Sequence, residues 1–282
     1  MSGAEKQTSA LRLCARQELL LAVRSRWTQI FAGVFAALSL AVAASGYVLS
    51  GGGGVQDFAR TAVSLVQLIL LLVPLTALVI GVLSLAPERG AAELLFSQPV
   101  SRREILFGKL LGLFSALAAA EALGLGIAGL VILSRSGQIG LAAYALLFLG
   151  SLLLTAVFLA LAALLAAGGA GRRARALAIA LIVWFVAVVL FDVAALGAAS
   201  LLPSGAASRL LIVAVLANPV DAVRTGTLLA IQGTTAFGAA SLAFLRFTKG
   251  PLGAGILLSL SVLVWIALPA ALAARRMERA DL

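Results

Sequence analysis

The sequence predicts an all-α, polytopic membrane protein with six transmembrane helices. Three observations carry that prediction. The first is composition: 62% of residues are hydrophobic and 11% charged, with a mean hydropathy of +1.14. A soluble domain of this length cannot hide so much apolar surface from water. The second is a set of six apolar runs near Thr28–Leu49, Thr61–Ala86, Ile105–Leu133, Leu141–Ala167, Ala176–Leu202 and Leu252–Ala274. Each is about 20 residues or longer, enough to cross a hydrocarbon core of about 30 Å. The third is charge placement. With both termini inside, fifteen of the 21 Lys and Arg residues lie on the inner side; Arg60, Arg135, Arg209, Arg224, Arg246 and Lys249 remain outside. The opposite orientation inverts that bias, so both termini are predicted to be cytoplasmic.

The net charge of +10 flanks the spans instead of forming one patch, which argues against nucleic acid as a partner. Met1 to Trp27 is charged and lacks both an apolar core and a small-residue cleavage site, so no cleavable signal peptide is expected. The heavy use of Ala, Leu, Gly and Arg points to a bacterial inner membrane. Cys14 is the single cysteine, which rules out an intrachain disulfide.

Residues 1–27 form the cytoplasmic N-terminus. From Ser9 to Trp27, Leu11, Cys14, Ala15, Glu18, Leu19, Ala22 and Val23 recur near helical spacing, with Arg12, Arg16, Arg24 and Arg26 on a more basic side. This predicts an amphipathic helix in the inner interface, with Trp27 at the aromatic belt. The first span ends at a flexible outer turn, Gly51–Gly54. Pro74 is expected to kink the second span.

Residues 87–104 form an inner loop that holds nearly all of the charge of the middle region. Pro87 ends the helix before it. Ala91 to Phe96 reads as a short helix with Leu94, Leu95 and Phe96 on one side and an acid at Glu93; Pro99 breaks it. Ser101 and Glu104 make a capping box that opens the third span. Such a helix between two prolines is shaped to dock, although a loop that merely satisfies the charge rule would look similar.

The third span places Glu121 near mid-bilayer depth. A centred charge costs about 3 kcal/mol on insertion scales and marks a functional candidate. Its alternatives are a hydrogen bond to Ser or Thr of another span, the same residue across a dimer axis, or a transport or gating role. Gly108, Gly112, Gly124, Gly126 and Gly129 make this helix smooth enough for close helix contacts. A short basic loop, Gly168 to Arg175, follows the fourth span. Asp192, in the outer half of the fifth, either faces a polar vestibule or pairs with an outer arginine such as Arg209.

The outer segment, residues 203–251, reads as short helices. Asn218 is a good N-cap, Pro219 suits the first helical position, Asp221 follows, and the helix should stop at Gly233. An apolar outer loop of this length must bury itself, as a partner-docking platform or as a re-entrant hairpin. Asn218, Pro219, Asp221, Arg224, Phe237 and Phe244 are the candidate partner-binding residues. Residues 275–282 form a cytoplasmic tail.

The loop string Glu88-Arg89-Gly90, Glu93-Leu94-Leu95, Ser97-Gln98-Pro99-Val100-Ser101-Arg102-Arg103-Glu104 and Gly108-Lys109 resembles the signature of ABC-2 type permeases, with Ala91 where that signature usually has threonine. The resemblance implies a fold of the type V exporter kind with an N-terminal elbow helix. It also implies that the loop holds the coupling helix, seated in a groove of the ATPase subunit. Glu88, Arg89, Glu93, Leu94, Leu95, Phe96, Pro99, Arg102 and Arg103 would then make the ATPase contact. Asn218 to Arg224 and Gln232 to Phe237 are similar, more narrowly, to permeases that serve maturation of the copper–sulfide centre of nitrous oxide reductase. That likeness implies a homodimer, two NosF-like cytoplasmic ATPase subunits and a NosD-like periplasmic β-helix protein. It further implies a copper chaperone lipoprotein acting through the periplasmic subunit.

No GxxxxGK[ST] occurs, so ATP and its magnesium are expected on the partner ATPase and no cofactor in this chain. Histidine is absent, which removes Ser-His nucleophile pairs and HExxH zinc sites. The predicted spans also lack Met and Cys, so no soft ligand set for Cu(I) is expected in them. Cargo on this reading is a sulfur species, or nothing but motion. The rival readings are a conventional ABC-2 exporter of another substrate and an ion-coupled secondary transporter using Glu121 and Asp192.

Overall fold

The computed structural model describes residues 3–48, 55–86, 101–136, 140–167, 173–233 and 244–279. Almost all of these are helical. The expectations for Gly51–Gly54, for Glu88, Arg89, Glu93, Leu94, Leu95, Phe96 and Pro99, for Gly168–Arg172 and for Phe237 fall outside the described residues.

Helix α1 (Gly3–Arg24) is followed by α2 (Arg26–Val48), α3 (Val55–Leu85), α4 (Arg102–Ser136), α5 (Leu141–Ala166) and α6 (Arg173–Phe185). Helix α6 runs through a π-helical stretch, Val186–Leu190, into α7 (Phe191–Ser200); α8 (Ser204–Ala217), α9 (Pro219–Gln232) and α10 (Pro251–Arg279) complete the chain. Six stretches are long and apolar enough to cross a membrane: α2, α3, α4, α5, the α6–α7 run and α10.

Helix α1 stops earlier than its periodicity predicts. Ser25 turns the chain, with its N–H donating to Ala22 O at 3.1 Å, so Trp27 belongs to α2. The α1 and α4 helices lie in long contact because glycines let their backbones approach. A Cβ on Gly108 would meet Cys14 Cβ at 2.6 Å, and one on Gly112 would meet Ala15 O at 2.5 Å. Gly124 makes room for Phe35 of α2, and Gly129 for Tyr144 of α5. Gly126 has open space around it, so this glycine serves no contact within the described chain.

Helix α5 is the centre of the bundle, packing against α3, α4, α9 and α10. Phe158, Leu154, Leu147 and Val157 are buried there with Leu65, Leu70 and Leu78 of α3. Pro74 lies inside α3. Its missing N–H loosens the carbonyls of the turn before it, and Trp184 Nε1 of α6 donates to one of these, Leu71 O, at 3.0 Å.

The described part of the outer segment is a sharply bent helix pair. Helices α8 and α9 meet at 103°. Asn218 is extended there, as a residue before proline prefers, and Pro219 begins the next helix. Two backbone groups of the turn find side-chain partners. Asn218 Oδ1 accepts from Val220 N–H at 3.1 Å. Leu216 O, left without a helical donor, accepts from the Ser261 hydroxyl of α10 at 2.7 Å. Helix α9 then packs against α3, α5 and α10, burying Val220, Ala222, Val223 and Thr227. It stops at Gly233, whose φ of 63° suits glycine. Replacing Asn218 by Ala is expected to cost about 1 kcal/mol for the lost cap, and more for the carbonyl it leaves bare. Denaturation of the purified protein checks this.

Candidate functional site

The functional candidates fall at three levels along α4 and its neighbours. At the Arg102 end, the predicted capping box is formed: Ser101 N–H donates to Glu104 Oε2 at 3.2 Å and Glu104 N–H to Ser101 Oγ at 3.3 Å. Arg102 Nη1 donates to Met277 O at 2.8 Å, and Arg103 Nη2 to Glu278 Oε2 at 2.8 Å. The start of α4 is thereby tied to the end of α10. Arg103 and Glu278 are well exposed, so this pair orients more than it stabilises.

About two turns further along α4, Glu18 of α1 is buried between α3 and α4. It accepts from the Ser84 hydroxyl and lies 3.6 Å from Lys109 Nζ. Lys109 Nζ also donates to Ser84 O at 3.4 Å. Sequence reasoning did not pair these residues. The signal was Glu18 itself, a carboxylate on the apolar side of an amphipathic helix.

Glu121 lies about 28 Å along the axis from Arg102, near the middle of α4. It is 1% exposed and accepts a hydrogen bond from the Thr155 hydroxyl of α5; its other oxygen, Oε2, has no partner among the described residues. Of the three alternatives, this geometry supports the bond to a neighbouring span. Glu121→Gln keeps the acceptor and should accumulate and work like the wild type. Glu121→Leu strands Thr155 and should cost about 1–2 kcal/mol. Thermal melting beside a transport assay separates the two, and loss of transport in Glu121→Gln would revive the ion-coupled reading.

The far level is a chain of polar groups. Asn218 Nδ2 donates to Ala187 O in the π-helical stretch at 2.8 Å and to Asp221 Oδ2 at 3.0 Å. Arg224 Nη1 donates to Asp221 Oδ1 at 3.0 Å and closes the chain on Asp192 of α7. Asp192 therefore meets Arg224 and not Arg209. The partner-binding candidates of this segment differ in exposure. Asn218, Pro219, Asp221 and Phe244 are buried, and Asn218 and Asp221 spend their polar atoms on contacts within the bundle. Of the described candidates in this segment, Arg224 keeps partial exposure. An apolar groove of about 280 Å³ lies beside this turn, lined by Phe158, Ile182, Phe191, Pro219 and Trp265. Among the described residues, no group of three or more His, Cys, Asp or Glu side chains could hold a metal ion.

Residues 13–282 match the model of the ABC-2 family of transporter proteins. The chain is 35% identical, over 235 residues, to a probable ABC transporter permease protein NosY of Pseudomonas aeruginosa PAO1; the match covers 81% of this chain and 85% of the relative. It is 34% identical over 235 residues to the protein of the same description from Stutzerimonas stutzeri, with the same coverage of 81% and 85%.

Proposed function

The chain belongs to the ABC-2 family of transporter proteins and is a permease subunit, and from that premise we propose that it couples ATP hydrolysis on a separate cytoplasmic ABC ATPase to a periplasmic partner. The ATPase, NosF-like, would dock on the loop between α3 and α4. The partner, a NosD-like β-helix protein, would sit at the opposite face. The permease would act as a homodimer in a bacterial inner membrane, with both termini cytoplasmic, and serve maturation of the copper–sulfide centre of nitrous oxide reductase. Similarity to permeases described as NosY supports the pathway.

The observation that carries the mechanism is the junction where the loop re-enters the bundle. Arg102 and Arg103 fasten the start of α4 to Met277 and Glu278 of α10. A few residues on, Gly108 and Gly112 seat α1 against the same helix. A push on the loop would therefore move α1, α4 and α10 together. Helix α4, 35 residues long, would carry the displacement about 52 Å toward the other face. Soft ligands for Cu(I) are missing from the predicted spans, so the chain passes motion or a sulfur species in this scheme, and copper reaches the enzyme on the periplasmic side.

Complementation tests the pathway. In a denitrifying strain lacking its own NosY-type permease, this chain should restore the spectroscopic signature of the copper–sulfide centre when its ATPase partner is present. Restoration without any ATPase, or copper uptake by proteoliposomes holding only this chain and the ATPase, would overturn the scheme.

A further inference from the structure

Five residues of the fifth apolar run, Val186–Leu190, are π-helical. That conformation is rare, occurs mostly as a single turn inside an α-helix, and is frequent at functional positions. Its backbone bonding is specific. In an α-helix, Phe191 N–H would donate to Ala187 O, four residues back. Here Phe191 N–H donates to Val186 O, five residues back. Ala187 O is met from another helix, where Asn218 Nδ2 at the start of α9 donates to it at 2.8 Å. Asn218 thus engages the acceptor that the α-helical register would use.

A second tie lies just beyond the stretch. Asp192 of α7 accepts from Arg224 of α9. Helix α9 packs broadly against α3, α5, α8 and α10 but not against α6 or α7, so the two polar ties are its main hold on the α6–α7 run. Helix α7 is itself lightly held: none of its residues is buried among the described residues. The apolar groove of about 280 Å³ borders Val186, Ala187 and Phe191 on one side and Asn218 on the other. That is several times the ~30 Å³ share of one water, so the side chains of the stretch have space into which to turn.

We propose that Val186–Leu190 is a two-register switch, held in the π register by Asn218 and Arg224 of α9. When α9 withdraws, Phe191 N–H takes Ala187 O and the stretch becomes α-helical. Helix α7 then turns by about 100° and moves about 1.5 Å along its axis, the step of one residue. Asp192 swings off Arg224 in the same motion. The two ties therefore open together, and a small displacement of α9 becomes a discrete change at the outer end of α7. The switch stands without the ATPase scheme above, since it needs only that α9 moves.

The test is a distance measurement between two nitroxide labels by pulsed electron resonance, on the full-length protein in lipid nanodiscs. The labels go on Leu196→Cys of α7 and Leu146→Cys of α5, both exposed, in a Cys14→Ser background. Labelled chain is diluted with unlabelled chain, so that only distances within one chain are read. With both ties intact, one distance should dominate. Asn218→Ser keeps a capping oxygen for Val220 N–H but lacks the amide donor. It should add a second distance displaced by up to about 8 Å, the swing of a side chain about 5 Å from the helix axis through about 100°. Asp192→Asn removes the ion pair, leaves Asn218 in place and should add the same distance; it decides the matter if Asn218→Ser does not fold. Deletion of Val189 takes out the inserted residue, which makes the helix continuous with α7 unturned. Asn218→Ser in that background should return to the single distance, whereas a role limited to packing or capping would leave the disorder uncured. A single unshifted distance in the folded tie variants, or a second distance that survives the deletion, would overturn the proposal.

Discussion

Leu94→Asp and Glu93→Arg are each expected to strip the ATPase from the purified complex. Both lie in the loop between α3 and α4, the segment with the permease signature. On the sequence, Leu94, Leu95 and Phe96 supply an apolar docking side. An aspartate there would bring an unpaired charge into a desolvated contact, which costs several kcal/mol. Glu93→Arg reverses the one acid of that short helix. Central interface contacts commonly cost 2 kcal/mol or more when lost, so association should weaken by about 30-fold or more. The measurement is co-purification with the ATPase, together with ATP hydrolysis stimulated by the permease. Permease yield and melting, followed in parallel, separate lost docking from a lost fold. If both variants hold the ATPase as the wild type does, the loop is a topological turn and the coupling scheme fails.

What could be read from the sequence was local, and what could not was distant. The capping box at Ser101 and Glu104 involves residues three apart, and it is formed. The Asn218–Pro219 start of α9 and its stop at Gly233 are equally local, and they are formed too. The spans follow from length and hydropathy, which a membrane imposes directly. Pairing across the bundle carries no such signature. Asp192 had several arginines within reach, and only the fold brings Arg224 to it. The π-helical stretch Val186–Leu190 is an ordinary apolar run in sequence; its distinguishing partner, Asn218, comes from a helix remote in the chain. The outer segment was the hardest. Its polar residues looked like a surface for a partner because Asn, Asp and Arg usually seek water. Here they bond one another inside the bundle, and Asn218 also serves the backbone at Val220 N–H and Ala187 O.

The second large effect is expected at Gly112. In the folded chain a Cβ there would lie 2.5 Å from Ala15 O, 2.7 Å from Glu18 Cβ and 2.8 Å from Leu19 N. Two of those atoms are backbone and cannot swing aside as a side-chain tip does. Gly112→Leu must therefore push α1 off α4. That shift would draw Glu18 away from Ser84 and Lys109, breaking a buried carboxylate contact that ties α1 to both α3 and α4. The overpacking and the lost contact together should cost about 3 kcal/mol. Stimulated ATP hydrolysis should fall with it if α1 moves as one body with α4. Gly126→Ala on the same helix is the control. It has open space around it, and replacing a helical glycine by alanine is neutral or stabilising by about 0.5–1 kcal/mol where nothing collides. Melting of the two variants side by side decides the matter. A Gly112→Leu protein as stable as the wild type would mean that α1 does not rest on α4 in the membrane, and the junction at the Arg102 end would lose one of its three helices. A Gly126→Ala protein that melts early would show instead that this bare face of α4 is covered by a second copy or another subunit.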